Sequence, residues 1–403
     1  MDDYDKQTIR TVVGALEELK REVGIPHGES LIRMSSFLLA HLVGRQAVPG
    51  AAVSIDDELA ALARMQAEEQ SIFDLYQAAP AETDDFSAEA MTAYVRGHLG
   101  DKAEVVSVRT LIGGTSKQTI ILGLHDGSTG VDAVVIRRDL PGGPVELKAA
   151  DELPILQAMH AHGVPVAEPL WADHTPPFSG SCVVTRRVGG MVAYDLTATE
   201  QGGDGARNAL ALARTLARIH RIAVADTGLP LGDAEQSAVA AMIEDYETQW
   251  QRRRIEDSPT IAVGLAWLKA NIPPIESLSV VHGDCSMRNF MVEQGEATAL
   301  LDWELWHFGD HHQDLAYCRA EVEQFTSWDA FVAEYLAHGG KPVRAASLPF
   351  WQVFGPLRNL IFAANIVHAH VHAPRPLATP IYSALYGGRW LLGNVAADIK
   401  RLR

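Results

Sequence analysis

Ile9, Val12, Val13, Leu16, Leu19 and Val23 recur at intervals of three and four, the spacing of one buried helical face, and Gly24 with Pro26 ends the pattern. The runs LIRMSSFLLAHLV and DDELAALARMQAEEQSIFDLYQ read as two more helices, the second opened by Ser54 three residues before Asp57 in the manner of a capping box. QAAPAETDDF then joins proline, small residues and acids, the composition of a linker. Residues 1 to 82 are therefore expected to form a helical appendage. It holds no cluster of ligand-type residues, so it suits packing, or a homodimer made through these helices.

From Val105 the texture changes. EVVSVRTLI, QTIILGL and VDAVVIRRD are β-rich runs separated by GGTSK and HDGSTG, both turn sequences, and predict three antiparallel strands. VELKAADELPILQAMHAHG reads as a helix ending at Gly163, and CVVTRRVGG as a further strand. Helices dominate afterwards: ARNALALARTLARIHRI, the stretch from 237 to 255, and most of 315 to 403. Strands return around VVHGDCSMRNFMV. The expected class is α+β, with a small sheet-rich lobe (83–188) and a larger helical lobe (189–403) joined by one strand and the pair Gly189 and Gly190, leaving a cleft between them.

Composition narrows the function classes. Hydrophobic residues make up 47% of the 403 and charged residues 21%, an ordinary folded mixture. A net charge of -17 argues against general nucleic-acid binding, because any anionic ligand then needs a local basic site. The three cysteines show no CxxC spacing, which argues for a reducing compartment, with cytoplasm as the expectation. MDDYDK lacks the features of a signal peptide, and no apolar run approaches membrane-crossing length.

The candidate chemistry is phosphoryl transfer, which asks for phosphate cover, charge neutralisation, metal ligands and one acceptor for the incoming hydroxyl's proton. LIGGTSKQTIIL is a turn between two strands where Gly113 and Gly114, followed by Thr115 and Ser116, let backbone N–H groups approach phosphates. Hairpin turns routinely contain glycine, so this signal is weak alone. Arg137 faces inward on a strand and Glu152 lies on the next helix; the pair either holds the cation against nucleotide phosphates or is an ordinary surface ion pair. Asp284, in a loop after an apolar run, can accept a hydroxyl proton, and Asn289, five residues on, can offer its carbonyl oxygen to magnesium. ATALLDWELW ends an apolar strand in Asp302, a second oxygen ligand of the type magnesium requires. The plainer reading of Asp284 is a helix cap.

VVHGDCSMRNFMV, LLDWELWHFGD and DLAYCR resemble the aminoglycoside phosphotransferase family, a branch of the protein-kinase-like fold, and the resemblance runs from residue 86 to the C-terminus. VIRRDLPGG, GVPVAEPL and LARIH look closer to the branch associated with acyl-CoA dehydrogenases. The resemblance implies a bilobal kinase-like fold, Asp284 as catalytic base, Asn289 and Asp302 as magnesium ligands, Glu152 as partner of the nucleotide-lobe cation and Asp314 as support for the loop. Two positions depart from the family pattern. Arg137 replaces the usual strand lysine, and GGTSK replaces GGxSN, so that Lys117 either touches phosphate or faces solvent.

Other conspicuous residues read more plainly. His368 and His372 stand at i, i+4 spacing without a nearby Cys or acid to complete a metal site, and His307, His311 and His312 are expected to shape the loop after Asp302. From Tyr335 to Arg403 the single acid is Asp398, accompanied by eight Lys or Arg and by Phe350, Trp351, Phe354, Phe362, Tyr382, Tyr386 and Trp390, which suits an apolar or anionic acceptor better than a polycationic one. The resulting expectation is an ATP- or GTP-dependent, Mg2+-requiring kinase acting on a small-molecule hydroxyl, such as a hydroxyacyl-CoA or another hydrophobic alcohol. The alternatives are an aminoglycoside-type antibiotic phosphotransferase and a catalytically silent nucleotide-binding module.

Overall fold

The computed structural model describes residues 86–111, 116–125, 130–140, 147–193, 205–231, 236–254 and 258–371, with Val395 and Arg401. The expected helical appendage, Gly113, Gly114, Thr115 and His372 lie outside the described residues, as does almost all of the chain beyond Val371.

Helix α1 (Ala88–Leu99) begins at Ser87, whose hydroxyl accepts the Ala90 N–H at 3.1 Å and so satisfies one of the helix's free donors. Five strands follow: β1 (Val105–Leu111), β2 (Lys117–Leu124), β3 (Ala133–Asp139), β4 (Pro169–Asp173) and β5 (Cys182–Arg186). They form one antiparallel sheet in the order β1-β2-β3-β5-β4. Side chains alternate across this sheet. Ile120, Leu122, Val134, Ile136 and Val184 bury under Met91, Tyr94 and Val95 of α1, whereas Arg137, paired in register with Thr119, points to the opposite face. The three strands expected from 105 to 139 are all present. Strand β4 was not legible: each of its positions is only half-buried, so no alternation marks it, and it opens on a proline at the sheet edge.

Helix α2 (Leu153–Ala161) is shorter than its sequence pattern suggests. A 3-10 turn over Ala149–Glu152 precedes it, and Pro154 occupies the first helical turn, where a missing N–H costs nothing. The chain leaves β5 through Gly189 and Gly190 and enters β6 (Met191–Val192), which pairs with β8 (Phe290–Glu293) of the second lobe. Gly190 has φ 93°, and a Cβ there would lie 2.5 Å from the Val292 carbonyl oxygen, so the crossing between lobes needs glycine.

The second lobe is built from α3 (Gly205–His220), α4 (Gln236–Arg253), α5 (Pro259–Ala270), α6 (His312–Val322), α7 (Trp328–Ala337) and α8 (Leu348–Val371). Leu212, Leu216, Ile219, Leu315, Phe331, Trp351 and Phe354 bury together in its core. Two small sheets carry the loops of interest. β7 (Ser279–Val281) pairs with β10 (His307–Gly309), and β8 lies between β6 and β9 (Glu296–Leu300). The ends of β7 and β9 open toward the face of β3 that carries Arg137. Among the described residues, no helix is long and apolar enough to cross a membrane.

Candidate active site

The loop after β7 is held from behind. Asp314, in the first turn of α6, is fully buried and accepts the backbone N–H of His282 at 2.8 Å and of Gly283 at 2.9 Å. Burial raises its carboxyl pKa, but the His220 hydrogen bond at 3.1 Å, with His220 and His282 close by, outweighs this and holds the value below the ordinary range. Gly283 has φ 85° and sits against the Leu305 carbonyl, leaving no space for a Cβ. The His282 ring donates from Nε2 to the Leu301 carbonyl at 2.9 Å and accepts the Asp284 N–H on Nδ1 at 3.2 Å. Burial lowers the pKa of this ring, so it stays neutral. It therefore ties the Asp284 loop to the segment that carries Asp302.

Asp284 and Asn289 are in direct contact. The Asn289 amide donates to the Asp284 carboxylate at 2.8 Å and to its backbone carbonyl at 3.0 Å. That leaves the Asn289 carbonyl oxygen for another partner. A backbone hydrogen bond from Leu301 to Asn289, 2.7 Å long, fixes the two loops against each other. Asp302 adopts the left-handed conformation at φ 71°, one of two described non-glycine residues with positive φ. Such strain persists only where surrounding contacts enforce it, and it collects at functional positions.

Across the cleft, Arg137 forks between two carboxylates, reaching Asp302 at 2.6 Å and Glu152 at 3.1 Å. The expected Arg137–Glu152 pair is thus present, and it is no surface pair, since the Glu152 side chain is wholly buried. Burial pushes the Glu152 carboxyl up, against the pull of Arg137. Ser116 donates to Glu304 at 2.8 Å instead of standing open. Lys117 does not face solvent. It is buried, with Nζ on Asp139 at 2.7 Å and on the Leu147 carbonyl at 2.8 Å, and 3.7 Å from Glu304.

Glu304 was missed by sequence reading, although it follows Asp302 by two residues. Its carboxyl is pushed up to about 8, chiefly by burial and then by the charge of Asp302. Among the described residues, the ion pairs of Asp139, Glu152, Asp302 and Glu304 are with Lys117 and Arg137, four acids against two cations. This excess of carboxyl groups over cations, with the side-chain carbonyl oxygen of Asn289 on the adjoining loop, fits a divalent cation bound through hard oxygen ligands.

The wall on the other side of Asp284 comes from residues far away in sequence. Tyr317 of α6 stands close enough to the Asp284 carboxylate for that charge, after burial, to push its hydroxyl up, and it accepts the Asn359 amide at 2.8 Å. Arg358 of α8 donates to the Gly283 carbonyl at 2.6 Å, with Nη2 4.0 Å from the Asp284 carboxylate. No local signal marked either residue.

Among the described residues, one group of three His, Cys, Asp or Glu side chains is close enough to hold a metal: Asp310, His311 and His312. Its hydrogen bonds close it. His312 donates from Nδ1 to Asp310 at 2.5 Å and accepts the Arg344 N–H on Nε2 at 2.8 Å. A metal on Nδ1 would force the ring proton onto Nε2, facing that N–H. The group is a packing network behind the loop, as its place in the sequence suggests. Cys285 is buried and its thiol is held well above the ordinary value by burial, consistent with a packing role.

Residues 107–350 match the model of the phosphotransferase enzyme family (APH). Acyl-CoA dehydrogenase family member 11 of Gallus gallus is 30% identical over 234 residues, 56% of this chain and 29% of that protein. The Mus musculus protein of the same name is 28% identical over 245 residues, 58% of this chain and 31% of its own length. The chain thus spans under a third of these relatives. A Ralstonia eutropha JMP134 protein provisionally named an aminoglycoside phosphotransferase superposes with a TM-score of 0.59 at 21% identity, over 78% of this chain and 98% of its own. A thermostable mutant of aminoglycoside phosphotransferase APH(4)-Ia, in complex with ADP and hygromycin B, gives 0.54 at 16% identity, over 77% of this chain and 98% of its own. These structures share the fold of the chain.

Proposed function

The chain belongs to the phosphotransferase enzyme family, and from the geometry of its cleft we propose that it transfers the γ-phosphoryl group of a nucleoside triphosphate to the hydroxyl group of a small molecule. The observation that carries this is the Asp284–Asn289 contact beside Asp302, with Arg137 across the cleft. Asp284 takes the hydroxyl proton as the alcohol oxygen bonds to the γ-phosphorus; the bond from that phosphorus to the bridging oxygen breaks, and the nucleoside diphosphate leaves. Tyr317 and Asn289 keep the Asp284 carboxylate aimed at the acceptor.

Asn289, Asp302 and Glu304 are the residues that would hold magnesium. Bound there, the ion supplies positive charge against the nucleotide phosphates. Arg137 then keeps Glu152 as its anchor and gives its second fork to a phosphate oxygen instead of Asp302. Gly113, Gly114 and Thr115 are proposed to give backbone cover to the phosphates, and Ser116, which follows them, donates to Glu304. ATP is favoured over GTP as donor by the ADP complex of the APH(4)-Ia relative in fold.

For the acceptor, an uncharged or anionic alcohol such as a hydroxyacyl-CoA fits better than an aminoglycoside. Helix α8, which walls the site, has no Asp or Glu anywhere in its length, so ammonium groups find no carboxylate partner on it. The similarity to acyl-CoA dehydrogenase family member 11 points the same way.

The test is thermal unfolding with ATP or GTP, with and without magnesium, followed by phosphate transfer to a panel of hydroxyl compounds. Magnesium-dependent stabilisation and transfer are expected. Asp284→Asn should lower turnover by about a thousandfold while nucleotide stabilisation persists. Stabilisation indifferent to magnesium, together with no turnover on any acceptor, would instead establish a silent binding module.

A further inference from the structure

Arg358, on the wall beside Asp284, has unusual surroundings. It is 3% exposed, and all three nitrogens of its guanidinium donate hydrogen bonds. Nε and Nη2 donate to the Asn359 side-chain oxygen at 3.2 and 3.1 Å, and Nη1 donates to the Gly283 carbonyl at 2.6 Å. All of these acceptors are uncharged. The carboxylate nearest to it is that of Asp284, at 4.0 Å from Nη2, beyond hydrogen-bond reach. A buried guanidinium hydrogen-bonded to neutral acceptors, and paired with Asp284 only across 4.0 Å among the described residues, projects its charge onto that carboxylate and onto whatever approaches it.

The surrounding surface favours the same class of ligand. The guanidinium lies 5.4 Å from the Tyr317 ring and 5.7 Å from the Phe362 ring. Phe362 meets Tyr246 of α4 edge-on at 5.8 Å, and both rings are half-buried, so apolar surface continues outward from the base. Arg288, at the rim, adds a second guanidinium, paired with Glu321 at 2.9 Å.

We propose that Arg358 is the specificity-determining residue of the acceptor pocket, admitting alcohols of zero or negative charge with an apolar body and repelling those that carry an ammonium group. This rests on the phosphotransfer reading above and adds the residue that sets the charge class of the substrate. Like charges brought together in a site sheltered from water cost enough to separate the classes by about tenfold or more. Arg358 acts on the acceptor through its field and through the placement of Gly283 and Asp284.

The experiment uses the full chain with magnesium and ATP and three acceptors of equal length: hydroxyhexanoate, hexanediol and aminohexanol. Phosphate transfer is measured, and where an acceptor is not turned over, its inhibition of magnesium-dependent nucleotide hydrolysis. The wild-type protein should prefer the carboxylate and the diol over the amine by about tenfold or more, and added salt should erode the preference. Arg358→Gln should bring the three within about threefold of one another, and Arg358→Lys should restore the order. An amine accepted as well as the carboxylate by the wild-type protein would overturn the proposal, as would an unchanged order in a folded Gln variant. Should that variant fail to fold, the wild-type order and its salt dependence decide. Complete absence of magnesium-dependent nucleotide use would instead strike the phosphotransfer reading itself.

Discussion

At the scale of single residues, the cleft is organised by charges that share partners. Arg137 is the clearest case, because one planar guanidinium satisfies two carboxylates on different loops. Burial works to lower its pKa, but Asp302, Glu152 and Glu304 more than reverse this, and it remains charged at any working pH. Replacing it with alanine removes the fork and strands Glu152 in the interior. Arg137→Ala should therefore raise the nucleotide KM by about tenfold or more and lower stability by about 3 kcal/mol. Steady-state kinetics and urea unfolding check the two effects separately, and unaltered kinetics would reject its role at the phosphates. Arg137→Lys keeps the charge with one point of contact and should fall between the two.

At the scale of elements, the Asp284 loop depends on a helix about 30 residues further along the chain. Asp314 offers both carboxylate oxygens from the first turn of α6 to two consecutive N–H groups, those of His282 and Gly283. An asparagine offers one carbonyl oxygen and turns an NH2 group toward the second donor. Asp314→Asn should thus destabilise by about 2 kcal/mol and depress kcat while nucleotide binding holds, as read by titration of nucleotide-induced thermal stabilisation. Gly283→Ala is expected to be worse. Its left-handed backbone and the Leu305 carbonyl both oppose a Cβ, so the loop must shift, and soluble yield and melting temperature should fall together.

At the scale of the whole molecule, the two lobes meet through ionic and polar contacts from Ser116, Lys117 and Arg137 to Glu304 and Asp302. Behind the site, burial keeps His282, His307 and His311 below the ordinary histidine value. In the unfolded chain each takes up a proton below about pH 6.5, and in the folded chain each resists doing so. The unfolded state then binds more protons, so stability is fully present above that value and declines as pH falls through the window beneath it. Asp310 and Asp314, whose carboxyls are held down, add to the loss at lower pH. Urea midpoints measured from pH 8 to pH 4 should fall steadily below about pH 6.5. His311→Asn should flatten part of that slope, and an unchanged profile would show that the ring titrates freely in the folded protein.

The sequence by itself determined the class of fold, the order of the lobes and the positions of Asp284, Asn289, Asp302, Arg137 and Glu152. These are features of local period and short spacing: a strand shows its two-residue alternation, a helix its three-and-four spacing, and the loop from His282 to Asn289 its fixed offsets. What only the tertiary structure decided is who stands beside whom. Glu304 could have been suspected from its place two residues after Asp302. Tyr317, Arg358 and Asn359 could not, since nothing in a helix pattern tells which distant loop its polar face will meet. Lys117 shows the same limit, because its turn-like setting gave no hint that Asp139 would cover it. Contacts across many tens of residues form because packing of the core brings helices together at fixed angles, and that information is distributed over the whole apolar pattern instead of being written at any one position.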